Sequence, residues 1–417
     1  MNKNRSLPLF LSTATAYAFG FLLWMTATTI KECGGTVLAL ALATPPTTIP
    51  VAVLGATGRL GKETVGALLE RGIPVRALVR PSSVEKLKQQ QNQNELPGDG
   101  IGILDHPQVE IIEGELLDTP ASGTYSDDTV LPSEELVECL TGCSVCIACY
   151  GATRKTKPSE LLSWVLSTKS NDDEPDPSED TDPIHPKQIN YRSMLALGKA
   201  CERINSSNNN NKDTTRIEHI VRITGKGEDP TGIFSVLLNG LGSFCKLWNY
   251  QGETVLRSKA FGGPNSGTNE NEGSVGYTIV RPGVMVEDLK EDDLKPGQRR
   301  YLELKGNGGN DLPVTPVTRP QIAGLLAELA VGEAAGAGRR RRVTLAAMNV
   351  VAEDEAGASG SDLRDRIRGL ASDSRSFPDS LVHEHKSATK RFFRRLAAAV
   401  AAVVVAAVSL LGKVVLG

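Results

Sequence analysis

The sequence predicts an α/β fold, a doubly wound parallel sheet of Rossmann type, with a C-terminal transmembrane helix. Three observations carry this reading. From residue 50 onward, short apolar β-branched runs alternate with amphipathic stretches, the pattern of a parallel sheet covered on both faces. The first of these runs ends in a glycine series where a helix should begin. Residues 396–412 carry no charge over 17 positions, or roughly 26 Å of helix against a hydrocarbon core of about 30 Å.

Taken in order, Pro50 precedes VAVLG (51–55), the first strand. Residues 56–72 read as a helix because Leu60, Val65, Leu68 and Leu69 recur at helical spacing. PVRALVR (74–80) is the second strand, and PSSVEKLKQ (81–89) opens a second helix with serines available as caps. VEIIE (109–113) is the third strand, 133–142 a helix ending at Gly142, and 143–151 the fourth strand. A helix over 184–204 leads to IEHIVRIT (217–224), the fifth strand. One helical stretch is expected from about 232 to 259, before the sixth strand, GYTIVRPG (276–283). Polar runs at 89–94, 171–182, 205–211 and 265–273 fall between elements, where surface loops accept extra length at small entropic cost. The acidic run at 171–182 is read as such a solvated loop.

The chemistry sits at the first turn. Gly55, Gly58 and Gly61 form G-x-x-G-x-x-G between a strand and a helix. Gly55 permits the sharp turn, Gly58 lets main-chain amides approach a diphosphate, and Gly61 lets the helix pack on the sheet. The helix N-terminus adds partial positive charge for the anion. At the end of the second strand, an acid would hydrogen-bond a ribose hydroxyl. This chain has Arg80 there, with Arg76 upstream, and a guanidinium suits a 2′-phosphate. The expected cofactor is therefore NADP(H). Glu115-Leu116 and Tyr150-Gly151 fall at strand C-termini, where such sheets bind ligands.

LGATGRLG, VRALVR, VEIIEGELLD, IEHIVRITGKG and VGYTIVRPGV, in that order, resemble the atypical short-chain dehydrogenase/reductase group, in particular its NmrA-like and flavin-reductase-like branch, which includes plastid proteins. The resemblance covers roughly residues 50–350. It implies that Thr57, Gly58, Arg59 and Leu60 wrap the diphosphate and that Arg80 meets the 2′-phosphate. Glu115, where most of the family has Asp, and Leu116 are expected to flank the adenine. Thr224 takes the place of a catalytic Ser or Thr near the nicotinamide, and Arg281-Pro282-Gly283 are expected to close over that ring. One departure matters. Catalytic members carry Tyr and Lys four apart on the helix before YTIVRPG, where Lys lowers the phenol pKa. Here Cys245 and Asn249 hold those positions, and Lys246 and Tyr250 stand in the wrong order. Alcohol dehydrogenation by that pair is not expected; hydride transfer to a flavin or quinone needs less proton help.

The remaining features have plainer readings. Cys143, Cys146 and Cys149 form C-x-x-C-x-x-C, but on a strand Cys146 should face away from the other two, so core thiols are expected rather than a metal cluster. His383 and His385 are expected to be solvated in a tether, and Arg339–Arg342 to be a solvated entry to the strand-like VTLAAMNVV. No metal site is expected. With 46 Lys+Arg against 49 Asp+Glu, the net charge of −3 argues against a general nucleic-acid binder. Seven Cys, an odd number, do not make a disulfide framework.

Residues 7–30 are nearly free of charge and follow Lys3 and Arg5. They form either a targeting leader, with Ala16-Tyr17-Ala18 as cleavage site, or an N-terminal anchor. Phe19 after that site resembles two-part plastid leaders. Lys386, Lys390, Arg391, Arg394 and Arg395 precede the C-terminal segment and Lys413 follows it, which holds the main domain on the cytoplasmic or stromal side. The expected organisation is a leader or anchor at 1–49, a Rossmann domain at 50–350, a flexible tether at 351–390 and an anchor at 391–417. Two functions fit: a membrane-tethered NADPH-dependent oxidoreductase of flavin-reductase type, or a non-catalytic NADP(H)-binding scaffold or redox sensor for a membrane complex.

Overall fold

A computed structural model describes residues 49–92, 103–118, 127–152, 154–167, 182–207, 215–225, 229–258, 275–289, 294–296, 298–309, 313–334, 341–353, 363–375 and 380–416. The leader, Gln93-Asn94, residues 171–181, 208–211 and 265–273, Arg339-Arg340, and tether residues 354–362 and 376–379 lie outside them.

Strand β1 (Val51–Leu54) is wholly buried, and the two-residue period of a strand divides it between two cores. Val51 and Val53 join the cluster under helices α1 (Arg59–Leu69) and α8 (Arg319–Ala334). Ala52 and Leu54 join the cluster under α3 (Glu134–Leu140), α5 (Ser193–Ser207) and α7 (Cys245–Arg257). Each fully buried Leu, Ile or Val contributes about 1.5–3 kcal/mol, so both faces hold the sheet. The strands β2 (Val75–Val79), β3 (Val109–Glu113), β4 (Val145–Ala148), β5 (His219–Ile223) and β6 (Gly276–Pro282) follow. With β10 (Arg342–Glu353) and β8 (Gln298–Gly306) they form an eight-stranded sheet in the order β3-β2-β1-β4-β5-β6-β10-β8. All pairings in it are parallel except β8 on β10. A small second sheet pairs β7 (Val284–Val286) with β9 (Pro316–Thr318). The order reverses between β1 and β4, which opens a crevice at their C-terminal ends. Helix α2 (Pro81–Asn92) follows β2, and α4 (Pro158–Leu166) follows β4.

Several expectations are corrected. The helical stretch expected from 232 to 259 is two helices, α6 (Ile233–Leu241) and α7, broken where Ser243 (φ 50°) and Phe244 (φ 61°) take left-handed conformations. Such residues cost on the order of 1–3 kcal/mol each. Burial of Phe244 against Trp164, with ring centroids 5.0 Å apart, offsets this. Helix α5 is preceded by a π-helical turn over Lys187–Arg192. Cys143 lies before β4, after a turn at Gly142 (φ 81°), and shares a core with Cys146, while Cys149 is the thiol on the other face. Burial raises the pKa of all three.

The tether is not free where it is described. Strand β10 runs to Glu353, and α9 (Leu363–Arg368) packs against the α1–α8 core. Arg341 is not a solvated strand entry: it donates to the carbonyls of Ile367 (3.2 Å) and Leu370 (2.6 Å). Helix α10 (Leu381–Leu416) starts ten residues before the expected anchor, and its first turns dock. His385, expected to be solvated, is fully buried, with Nδ1 3.0 Å from the Asn239 amide. His383 is exposed beside Ser387. Residues 398–409 are exposed all round. Among the described residues α10 is the one helix long and apolar enough, by length and composition, to cross a membrane.

Candidate functional site

The glycines build a cradle at the β1 end of the crevice. Gly55 adopts φ 83°, and a Cβ there would lie 2.9 Å from the Tyr150 nitrogen, so the β1 turn and the end of β4 touch main chain to main chain. A Cβ on Gly61 would lie 2.1 Å from the Gly55 carbonyl oxygen; only glycine lets α1 start this close to the strand. The Gly58 amide donates to the Gly55 carbonyl (3.0 Å), and Gly58 is the N-cap of α1. No side chain caps that helix, and its first turn holds no acid. First-turn amides need partners, and an anion is the partner their partial charge favours. The cradle therefore fits a dinucleotide diphosphate, with Thr57 and Arg59 exposed or half-exposed beside it and Leu60 buried beneath.

Arg80 follows the last residue of β2 and is exposed, while its carbonyl accepts from Ser83 and Val84 to start α2. Its charge reaches Glu115, just past β3. Although Glu115 is exposed overall, partial desolvation raises its carboxyl pKa, and Arg80 opposes the rise. Leu116 is half-buried next to it. Arg76 belongs elsewhere: it pairs with Glu110 (2.7 Å) and donates to the Thr141 carbonyl. Gly151 is open. Tyr150 turns inward, its hydroxyl on the Met194 sulfur (3.0 Å) and its ring 4.3 Å from the Arg222 guanidinium.

The β5–β6 end is built differently. Thr224 donates through Oγ1 to Glu253 Oε1 (2.7 Å), a fully buried carboxylate on α7. Arg281, expected to close over the nicotinamide, is fully buried and bonds the same carboxylate through Nε (3.1 Å) and Nη2. Its strand position points it into the α7 core; Pro282, the last residue of β6, is buried too, and Gly283 is half-buried. A Cβ on Gly283 would meet the Thr315 carbonyl at 1.8 Å, so this glycine serves backbone packing. Arg257, one helical turn after Glu253, bonds Glu253 (3.1 Å) and Asp373 (2.8 Å), and Tyr277 and Thr344 also donate to Asp373. Burial raises the Glu253 pKa, and Arg257 opposes the rise. Sequence reasoning passed over Glu253, Arg257 and Asp373; the i, i+4 acid–base pair was the available signal.

At the positions of the usual Tyr/Lys pair, the Cys245 sulfur lies 3.8 Å from the amide nitrogens of both Asn190 and Asn249. Burial raises the Cys245 pKa. Tyr250 is buried 5.6 Å from the His385 ring. Lys246 is different. Its ammonium lies 2.8 Å from where a Cβ on Gly225 would be, immediately past Thr224, and burial lowers its pKa. A buried, shifted lysine at a strand end is a candidate functional group. Among the described residues no group of His, Cys, Asp and Glu could hold a metal.

Residues 47–157, which contain the cradle, Arg80, Glu115 and Tyr150, match the family model for the NmrA-like family. No curated protein gives a significant match. Among solved structures, an oxidoreductase from Lactococcus lactis is 12% identical, with a TM-score of 0.40 over 76% of this chain and 95% of that one. ChuY, an anaerobilin reductase from Escherichia coli, is 13% identical, with a TM-score of 0.36 over 71% of this chain and 96% of that one. Likeness at this level transfers no activity.

Proposed function

Because residues 47–157 belong to the NmrA-like family of NAD(P)-binding atypical short-chain dehydrogenases/reductases, we propose that this chain is a membrane-tethered NADPH-dependent reductase of flavin-reductase type. Two observations together carry the nucleotide reading: Gly61 has no room for a Cβ against the Gly55 carbonyl, and no side chain caps the helix that begins there. Thr57 to Gly61 would hold the diphosphate, Arg80 the 2′-phosphate, and Glu115 and Leu116 the adenine side, while Tyr150, Gly151, Pro282 and Gly283 border the crevice. Bound NADPH supplies a hydride. The acceptor is one that needs little proton help, such as a flavin or quinone. Lys246 is the residue placed to hold a proton, or a positive charge, beside the reduced acceptor.

A second reading is a non-catalytic NADP(H)-binding scaffold or redox sensor in a membrane complex. The Thr224 hydroxyl donated to Glu253, with Cys245 where the family has Tyr, favours it. Titrating the full chain with NADPH, NADH and NADP+, then following NADPH oxidation with flavin, quinone and tetrapyrrole acceptors, separates the two. Turnover supports the reductase; tight NADPH binding without turnover leaves the scaffold; no nucleotide binding removes both.

The exposed part of α10 supports the anchor, and Arg391, Arg394 and Arg395 before it favour a domain on the cytoplasmic or stromal side. Flotation with vesicles and a fluorescent fusion test this.

A further inference from the structure

Helix α10 changes environment within a short distance. Lys390 is buried 5.2 Å from the Trp164 ring, and Phe393 is buried, whereas Arg394, Arg395 and Leu396 are exposed. Two other helices reach the same level. Arg394 donates to the carbonyls of Val165 (2.8 Å) and Ser167 (2.7 Å) at the end of α4. A Cβ on Gly240, at the end of α6, would lie 2.0 Å from the Phe393 ring. The ends of α4 and α6 therefore stand within about one helical turn, roughly 5.4 Å, of the first residue of the apolar segment.

Both helices present apolar side chains outward. Leu162 and Leu166 are spaced i, i+4 on α4, and Ile233 and Leu241 are spaced i, i+8 on α6, with Phe234 beside Ile233. All five are between 49% and 64% exposed. Elsewhere on these helices Trp164, Val165 and Val236 are buried, so each helix has a second apolar face beyond the one that serves the core. Lys155, Lys157, Arg391 and Arg395 are exposed basic residues next to these elements. Apolar side chains bordered by basic ones match the interfacial layer of an anionic bilayer.

The same helices follow the two strands that end at the candidate site. Helix α4 follows the β4 end that carries Tyr150 and Gly151, and α6 follows the β5 end that carries Thr224. The Phe234 ring lies 5.9 Å from the Lys246 ammonium.

We propose that the outer faces of α4 and α6, carrying Leu162, Leu166, Ile233, Phe234 and Leu241, form a seat on the lipid bilayer around the exit of α10. The seat turns the β4–β5 edge of the crevice to the membrane surface, and the acceptor is an apolar molecule taken from the lipid. The seat rests on the anchor reading, and the acceptor class on the reductase reading.

The test uses the full chain in vesicles of mixed zwitterionic and anionic lipid. Leu166→Trp and Leu241→Trp are compared with Ile111→Trp, an exposed position on β3 at the far edge of the sheet. Lipids brominated near the headgroup should quench the added fluorescence at 166 and 241 several-fold more than at 111, since an interfacial helix face sinks about 5–10 Å. Chains that float with the vesicles but show equal quenching at all three positions overturn the seat and leave the anchor. Tryptophans shielded from aqueous quencher but not reached by bromolipid point to a protein partner and also overturn it. Chains that do not float overturn anchor and seat together. For the acceptor, the double variant Leu166→Asp/Leu241→Asp should lose roughly tenfold in kcat/KM for a vesicle-dissolved quinone, about 1.4 kcal/mol, and nothing for a water-soluble one. Equal loss for both overturns the lipid route. Turnover with neither quinone in the parent chain overturns the lipid-borne acceptor, while flavin and tetrapyrrole turnover still decides the reductase reading and the quenching result still decides the seat.

Discussion

At the β1 end of the crevice the groups offered to a ligand are main-chain amides; at the β5–β6 end they are side chains already bonded to one another. The cradle requires that Gly55 and Gly61 have no Cβ, and the helix then supplies the charge. At the other end Arg257 and Arg281 face Glu253 and Asp373, two cations against two anions, closed on themselves in the core. Buried charges of this kind are fixed by mutual need: removing one leaves another unpaired in low dielectric. A main-chain site thus keeps its ligand chemistry while nearby side chains change. A side-chain site can be turned to holding the fold. The comparison predicts that variants at the two ends separate stability from binding.

The largest effect is expected at the closed end. Glu253→Ala strands Arg281 and Arg257 and should destabilise the chain by about 3–5 kcal/mol, a fall in Tm on the order of 10 °C. NADPH affinity of the folded protein should change little. Thermal unfolding with and without NADPH reads both, and an unchanged Tm would show that the network is not holding the core. Gly58→Asp should do the reverse. A carboxylate at the N-cap of α1 helps the helix but opposes a diphosphate, so Kd for NADPH should rise about 100-fold, or about 2.7 kcal/mol. Its Tm should stay within about 1 °C of the parent. Calorimetry that finds parental affinity would remove the cradle assignment.

Lys246 tests whether the closed end keeps any chemistry. Lys246→Met should lower turnover about 30-fold without weakening NADPH binding, less than a usual general acid because the acceptor needs little proton help. Burial lowers the Lys246 pKa, and the proposed role requires the protonated form. The parent rate should therefore fall as pH rises through that lowered value, and the variant should lose this limb. A pH profile identical in the two proteins removes Lys246 from the reaction.

How much of this was legible follows the same division. The cradle could be read because a glycine series encodes its own backbone conformation locally, between a strand and a helix. The fate of Arg281 could not, since its partner Glu253 lies 28 residues away on a helix whose rotation the strand pattern does not fix. Strand β8 was missed because its Gln-Arg-Arg-Tyr-Leu-Glu-Leu-Lys-Gly run is polar and half-exposed, as an antiparallel edge strand permits. Cys143 was assigned to the wrong side because the turn at Gly142 takes it off the strand, where alternation no longer applies. His385 looked solvated because a docked helix and a tether differ only in what packs against them. The resemblance pointed correctly to the NmrA-like family through residues 47–157, where both the motif and the family match lie.

The smallest effects sharpen the choice of cofactor. Arg80→Glu should weaken NADPH about tenfold, about 1.4 kcal/mol, and NADH little, since in the proposed site only a 2′-phosphate would meet that guanidinium. Glu115 makes the subtler test. Its carboxylate feels the Arg80 charge, and in the proposed site it would compete with a 2′-phosphate for that charge. Glu115→Gln should therefore tighten NADPH about threefold, roughly 0.6 kcal/mol, and leave NADH unchanged. Desolvation raises the Glu115 pKa in the folded chain, so the proton is bound more firmly there than in the unfolded one. The group's contribution to stability is then fully present below the unfolded carboxylate pKa and is lost as pH rises through the folded value. NADPH affinity should follow the same direction, tightening as pH falls through the Glu115 pKa, and Glu115→Gln should abolish that dependence. If parent and variant keep the same pH dependence and the same preference for NADPH over NADH, Glu115 does not face the adenosine phosphate, and Arg80 would have to select the cofactor without a neighbouring acid to restrain it.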